Sequence, residues 1–164
     1  LRLPLRTFNL TAFVSEPVKP LLDVIVNCPD LGVYLNQSDK GEIVIGGAAD
    51  IGQSFRRDIK QAVFEESVSA MLELFPSFKK LKPLRQWGGA LDIAHDASPI
   101  ISKTEIPGLF VSAGWWGGFK AIPAGGLTFA HLIANNEQHP LSEPFALDRF
   151  DNLNFILESG TTAH

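Results

Sequence analysis

Hydrophobic positions near the start of the chain follow strand grammar. Asn9 to Ser15 is a β-rich run that closes at Glu16-Pro17. Val24 to Asn27 and Val33 to Asn36 are short β-branched or aromatic runs, separated by Cys28-Pro29-Asp30-Leu31-Gly32. Ser38-Asp39-Lys40-Gly41 is a turn signal, and Glu42 to Ile45 follows it as a return strand. The pair predicts a hairpin of an antiparallel sheet. The period then changes. Ile59, Val63, Phe64, Val68, Met71, Leu72 and Phe75 recur every three or four residues, which marks an amphipathic helix, and Pro76 ends it.

A second β-rich stretch, Leu84 to Ile93, carries Trp87-Gly88-Gly89, where paired glycines predict a bulge or a close neighbour. Ile100 to Lys103 and Leu109 to Ala113 read as strands around a turn at Pro107-Gly108. Gly114 to Gly118 forms a bend, and Ala121 to Asn135 reads as a helix with Pro123 in its first turn, where proline is tolerated. The tail from His139 is irregular around Pro140 and Pro144, then short and apolar from Leu153 to Leu157. No repeat, low-complexity tract or linker interrupts the pattern. It reads as α+β: an antiparallel sheet with flanking helices.

Composition narrows the function classes. With 164 residues, 45% hydrophobic content and 12 phenylalanines, the chain can build a packed core. Its net charge is −4, and no Lys/Arg run exceeds two residues, which argues against nucleic acid and a polybasic membrane contact. Ala121 to Ala134 is interrupted by Gly125, Gly126 and His131, and falls short of the roughly 20 apolar residues a membrane span needs. The single cysteine, Cys28, excludes an internal disulfide and a cysteine-rich zinc site, and it is expected as a small buried thiol. A cytoplasmic location fits that usage. The four histidines show no metal-ligand spacing. His131, inside a helix, is expected to be packed or capped. The chain opens on Leu1-Arg2-Leu3-Pro4 without an initiator Met, so it is expected to be entered partway through a longer subunit.

The segment richest in chemistry is Phe110-Val-Ser-Ala-Gly114-Trp115-Trp116-Gly117-Gly118-Phe119-Lys120-Ala-Ile-Pro123-Ala-Gly125-Gly126. A strand ends in glycines that permit close backbone approach, and the next helix points its N-terminus into the bend. Unpaired N–H groups and the positive end of the macrodipole favour an anion there. Reduced flavin, negative near N1 and the C2 carbonyl, would suit this geometry, and Lys120 could hold a substrate carboxylate as a point charge. Taken alone, such a bend is common, and most lysines so placed are solvated.

This segment is similar to the Gly-Trp-Gly-Thr-Gly-Gly-Phe-Lys loop of sarcosine oxidase β subunits, of the heterotetrameric type, among the D-amino-acid-oxidase-like flavoenzymes. Four further stretches resemble the same family in the same order. They are Val14-Ser-Glu-Pro-Val-Lys-Pro20; Gln37-Ser-Asp-Lys-Gly-Glu42; Leu84-Arg-Gln-Trp-Gly-Gly89 with Asp96-Ala-Ser-Pro-Ile-Ile101; and His139-Pro-Leu with Pro144-Phe-Ala-Leu-Asp-Arg-Phe150. Together they span nearly the whole chain.

The resemblance implies that residues 1–164 are the C-terminal part of an FAD-dependent oxidoreductase domain, made of the second half of the substrate domain and the helix returning to the FAD domain. The Gly-x-Gly-x-x-Gly fingerprint of the N-terminal dinucleotide-binding part does not occur in these residues; Gly46-Gly47-Ala48 fails its spacing. Gly114, Trp115, Gly117, Gly118, Phe119 and Lys120 are the implied cofactor-binding residues, and Lys120 is the candidate catalytic residue. FAD is expected to be non-covalent, because Gly89 stands where monomeric sarcosine oxidases attach it through cysteine. FMN belongs to the parent complex, on a histidine outside these residues. The implied reaction oxidises sarcosine (N-methylglycine) to glycine, with formaldehyde or methylene-tetrahydrofolate and hydrogen peroxide, alongside other subunits of a hetero-oligomer. The isolated chain is expected to be inactive. Alternatives are a related amine or imino-acid dehydrogenase, or a non-catalytic piece that only packs against partners.

Three departures stand out. The loop is one residue shorter here, with Trp115-Trp116 replacing Trp-Gly-Thr; His95 replaces a proline before Asp96; and Leu91 stands where glycine-oxidase-like relatives use a carboxylate-binding arginine. Trp116 is expected over the substrate cavity or in the helix–sheet interface. Trp87 and Trp115 are expected in the core or as a flavin wall. Arg85 is expected to be structural, and Asp92 and Asp96 to fix turns rather than move protons.

Overall fold

A computed structural model describes residues 1–50 and 60–156. Its elements are β1 (Leu5–Pro17), β2 (Val26–Cys28), β3 (Val33–Gln37), β4 (Glu42–Asp50), α1 (Gln61–Leu74), β5 (Pro83–Ala94), β6 (Ile100–Lys103), β7 (Phe110–Ala113) and α2 (Ile122–Asn135). Every strand and both helices expected from the periodicity form. Ile59, assigned to the first helix, and Leu157, in the apolar tail, lie outside the described residues. The chain divides into two compact units: Phe8–Ala90, and Leu1–Thr7 with the residues from Leu91 onward. We call them the sheet unit and the ribbon unit. No linker marks the division in sequence, because β1 and β5 themselves carry the chain across it.

The sheet has the order β2-β3-β4-β1-β5. Antiparallel register places Leu35 opposite Ile45 and Ile45 opposite Phe13, so one apolar row crosses three strands. With Val33, Ile43, Ala70, Met71 and Phe78 these residues form the core of the sheet unit. The alternation of strand residues puts them on one face. Helix α1 supplies Val63, Ser67, Ala70 and Met71 at helical spacing, and the Ser67 hydroxyl donates to the Val63 carbonyl at 2.9 Å. Phe64 meets Phe13 edge-on, with ring centroids 5.0 Å apart. Each fully buried Leu or Ile contributes about 1.5–3 kcal/mol, so this row holds the unit together.

Polar side chains fix what the row does not reach. Gln37 accepts from the Leu21 and Leu22 N–H groups at 2.6 and 3.0 Å. Its amide donates to the carbonyls of Val18, Lys19 and Gly41, so one side chain pins the 18–22 loop to the hairpin. The Gly46-Gly47 pair belongs to β4 and serves packing. A Cβ on Gly46 would meet the Tyr34 hydroxyl at 2.6 Å, and one on Gly47, at φ +129°, would collide with the Gly32 carbonyl. The close neighbour expected at Gly88-Gly89 is not found at Gly89. Strand β5 runs through both residues, and the Cβ position of Gly89 faces open space. Strand β5 is the sheet's edge and is exposed along most of its length, Arg85 and Trp87 included, so neither of these residues is a core residue. Cys28, on β2, is half-buried.

The ribbon unit is built differently. Strands β6 and β7 pair antiparallel, with Ile101 opposite Ser112, around a turn in which Gly108 has φ +77°. Helix α2 packs on β6, and Ile100 and Leu132 are fully buried. The tail, expected to be irregular around Pro140 and Pro144, forms two 3-10 turns, Pro140–Phe145 and Leu147–Arg149. Arg149 makes a bidentate ion pair with Asp96, at 2.8 and 3.0 Å, and also donates to the carbonyls of Phe145, Ala146 and Ser98. Asp96 further accepts from the N–H groups of Ser98 and Ile156. Burial by itself would raise the Asp96 pKa, but the Arg149 guanidinium and the two N–H groups hold it below the usual carboxylate range. Gln138 ties the first 3-10 turn to β6 by donating to the carbonyls of Ile101 and Ser142, both at 2.8 Å.

Candidate functional site

Strand β7 delivers the chain into the bend. Gly114, the first residue past β7, has φ +74°, a left-handed conformation that side chains rarely adopt. A Cβ there would meet Ala94 at 2.9 Å and Leu5 at 3.0 Å. Its N–H donates to Asp92 Oδ2 at 2.6 Å. Trp115 then folds back toward α2, with its indole Nε1 donating to the Ser112 hydroxyl at 3.1 Å. Its ring lies where a Cβ on Gly125 would fall, and its own Cβ is 2.8 Å from the Cβ position of Gly118. Gly118 and Gly125 are therefore glycine because Trp115 occupies their side-chain space.

Past Trp115 the bend turns outward. Gly117, at φ +63°, is exposed, and Gly118–Ala121 form a 3-10 turn that runs directly into α2. Neither Gly117 nor Ala121, the residues preceding the two helical segments, supplies a side-chain cap, and Pro123 sits in the first turn of α2. Phe119 is 90% exposed and Ile122 61% exposed, so an apolar surface flanks the uncapped N-terminus. An open cavity of about 390 Å³ lies beside it, lined by Ser112, Trp115, Gly118, Ile122, Gly125, Gly126 and Phe129. Lys120 is exposed, makes no hydrogen bond or ion pair among the described residues, and brings its Nζ to 3.8 Å from the Cβ position of Gly117.

The six residues singled out from the sequence thus divide. Gly114, Trp115 and Gly118 are packed into the scaffold of the bend, whereas Gly117, Phe119 and Lys120 face outward. Trp116 is 37% exposed, and the helix-packing indole is that of Trp115. Asp92 fixes a turn, as expected, but its partner Gly114 could not be read from sequence, and Ser112, which also braces the bend, carried no local signal. The Asp92 contact spans 22 residues, and Ser112 is one of many strand serines. His131 is half-buried, hydrogen-bonded to Asn135 at 3.0 Å and edge-on to His139, so it is a packed residue. No group of three or more metal-ligating side chains occurs among the described residues, and no helix there is long and apolar enough to cross a membrane.

An uncapped helical N-terminus, an open glycine and an apolar rim fit the ring end of a flavin: its pyrimidine carbonyls are acceptors and its ring system is flat and apolar. The fold and the site together define a helix-backed antiparallel sheet followed by a β-ribbon that presents a glycine bend at a helix mouth.

The chain belongs to the FAD dependent oxidoreductase family, whose model matches residues 1–132. It is 46% identical over 159 residues to the sarcosine oxidase subunit beta of Rhodobacter capsulatus, covering 96% of this chain and 38% of that protein. The subunit beta of Arthrobacter sp is 43% identical over 162 residues, covering 98% of this chain and 40% of the relative. Among solved structures, the L-proline dehydrogenase from P. horikoshii superimposes with a TM-score of 0.84 at 26% identity, over 92% of this chain and 41% of that one. The chain therefore spans about 40% of the length of the curated relatives it matches. Its fold is that of the D-amino-acid-oxidase-like flavoenzymes.

Proposed function

We propose that this chain is the part of a sarcosine oxidase subunit that closes over the ring end of a non-covalent FAD and holds the substrate's carboxylate. The observation that carries the reading is the bend at 114–120: an uncapped helical N-terminus, with an exposed cation free of partners among the described residues, in a chain 46% identical to a sarcosine oxidase subunit beta. FAD, when bound, supplies the two-electron oxidation of the N-methyl carbon. Everything this chain adds is binding and orientation.

In this reading the N–H groups following Gly117 face the flavin's carbonyl edge and stabilise the negative charge that reduction places there. Phe119 and Ile122 cover the ring system and exclude water. Lys120 pairs with the substrate carboxylate and so turns the methyl group toward the reacting edge. With dioxygen as the terminal oxidant and water hydrolysing the oxidised amine, the products are glycine, hydrogen peroxide and formaldehyde, or methylene-tetrahydrofolate where tetrahydrofolate takes the methyl carbon instead of water. Contacts to the remainder of FAD would come from parts of the subunit without a counterpart in this sequence. The complex is cytoplasmic in this reading and contains other subunits, the latter in keeping with the relatives' name, subunit beta. A second reading, an imino-acid dehydrogenase acting on L-proline, draws support from the likeness to the P. horikoshii enzyme.

The two readings separate in a substrate screen of the complete enzyme under anaerobic conditions, following flavin bleaching. Reduction by sarcosine at a kcat/KM well above that for L-proline and glycine supports the first. Fast reduction by L-proline with none by sarcosine would replace it by the second.

A further inference from the structure

We propose that Asp92 is a positioning residue for Lys120, acting through the bend rather than on the substrate. This inference rests on the reading of the bend as the flavin-ring and carboxylate subsite. The geometry forms a chain of contacts. Asp92 Oδ2 accepts the Gly114 N–H at 2.6 Å, a short charge-assisted bond to a residue held at φ +74°. Gly114 has no room to shift, since Ala94 and Leu5 fill the space where its Cβ would stand. The next residue, Trp115, is locked by Ser112 and packs against Gly118 and Gly125. Gly118 opens the turn that ends at Ala121 and carries Lys120. A displacement at Gly114 therefore passes through one rigid indole to the lysine.

Each link has one arrangement. The left-handed backbone at Gly114 orients its N–H toward β5, and the carboxylate there is a strong acceptor. A side chain that presents an oxygen at the same point keeps the bend; one that moves the oxygen releases it. What matters is the place of the acceptor, not its charge. Asn keeps that place and loses the charge, while Glu keeps the charge and moves the oxygen by one methylene. The two substitutions therefore reverse the order that a purely electrostatic role would give.

The test uses the complete enzyme, with steady-state kinetics on sarcosine and with acetate as a dead-end carboxylate whose Kd is read from the flavin spectrum. Asp92→Asn should stay within roughly two-fold of wild type in KM and in acetate Kd, whereas Asp92→Glu and Asp92→Ala should raise both by about ten-fold with flavin content unchanged. Added to Lys120→Met, Asp92→Ala should cause no further loss, because both act on one contact. If Asp92→Asn is impaired as much as Asp92→Glu, or if the losses of Asp92→Ala and Lys120→Met add in full, the positioning inference is overturned. If Lys120→Met leaves KM and acetate affinity unchanged, the carboxylate reading of the bend fails instead. The contrast of Asn with Glu decides the matter even where the Ala variant folds poorly.

Discussion

The sheet unit and the ribbon unit solve the same problem by opposite means. In the sheet unit, eight buried apolar residues from three strands, α1 and the turn after it form one core. In the ribbon unit the buried set includes Asp96, Ser98, Ser102, Thr128, Ser142 and Arg149 beside Ala94, Ile100, Ile101 and Leu132. Its tail is tied down by hydrogen bonds that converge on one carboxylate and one guanidinium. An apolar core tolerates small rearrangements, since nothing in it is directional. A polar network is directional and fixes the placement of each group it joins. The contrast teaches that the unit carrying the candidate site is the one ordered by direction rather than by area.

This difference can be broken experimentally, beginning with the largest effect. Arg149→Ala leaves Asp96 buried without its partner and should cost about 3–5 kcal/mol, measured by urea unfolding at neutral pH. The wild-type pH dependence has a defined sign. Because the folded pKa of Asp96 is lowered, its stabilisation is complete above the unfolded value of about 3.9 and is lost as pH falls from there through the folded pKa. Wild type should therefore weaken below about pH 4, while Arg149→Ala should lack that component. Leu35→Ala in the sheet unit should cost about 2–5 kcal/mol, because the side chain is fully buried within the apolar cluster. Its urea midpoint should run parallel to wild type across the same pH range, since no titrating group is involved. Gly125→Ala forces a methyl group into the Trp115 ring and should cost about 1–3 kcal/mol. Thermal melting with Trp115 fluorescence as the probe should show both the lower Tm and a shifted emission.

The legibility of the sequence follows the same division. Phe13, Leu35 and Ile45 announce themselves by alternation, and Val63, Phe64 and Met71 by helical spacing, because burial of area leaves a periodic trace. The ribbon and its bend were visible too, as glycines and proline at fixed offsets around α2. What stayed hidden was directional. Asp96 pairs with Arg149 across 53 residues, and Asp92 holds Gly114 across 22. Neither pairing has a local pattern. The glycines divide for the same reason: the Cβ position of Gly89 faces open space, whereas Gly125, inside a helix, is forced by an indole. Which of two such glycines is constrained depends on a neighbour that adjacency in sequence does not supply. In the bend, residue types singled out a segment, but its division into Gly114, Trp115 and Gly118 packed in the scaffold and Gly117, Phe119 and Lys120 facing outward had no trace in sequence.

The central claim is that the outward half of the bend binds the substrate's carboxylate, and Lys120→Met in the complete enzyme tests it most directly. The substitution keeps length and removes charge, and a charge-assisted contact is worth about 1.5–3 kcal/mol. The account predicts a loss of roughly ten- to a hundred-fold in kcat/KM for sarcosine, with flavin content and Tm close to wild type. Unchanged kcat/KM in a variant with its full flavin content would contradict it and return Lys120 to the solvated surface.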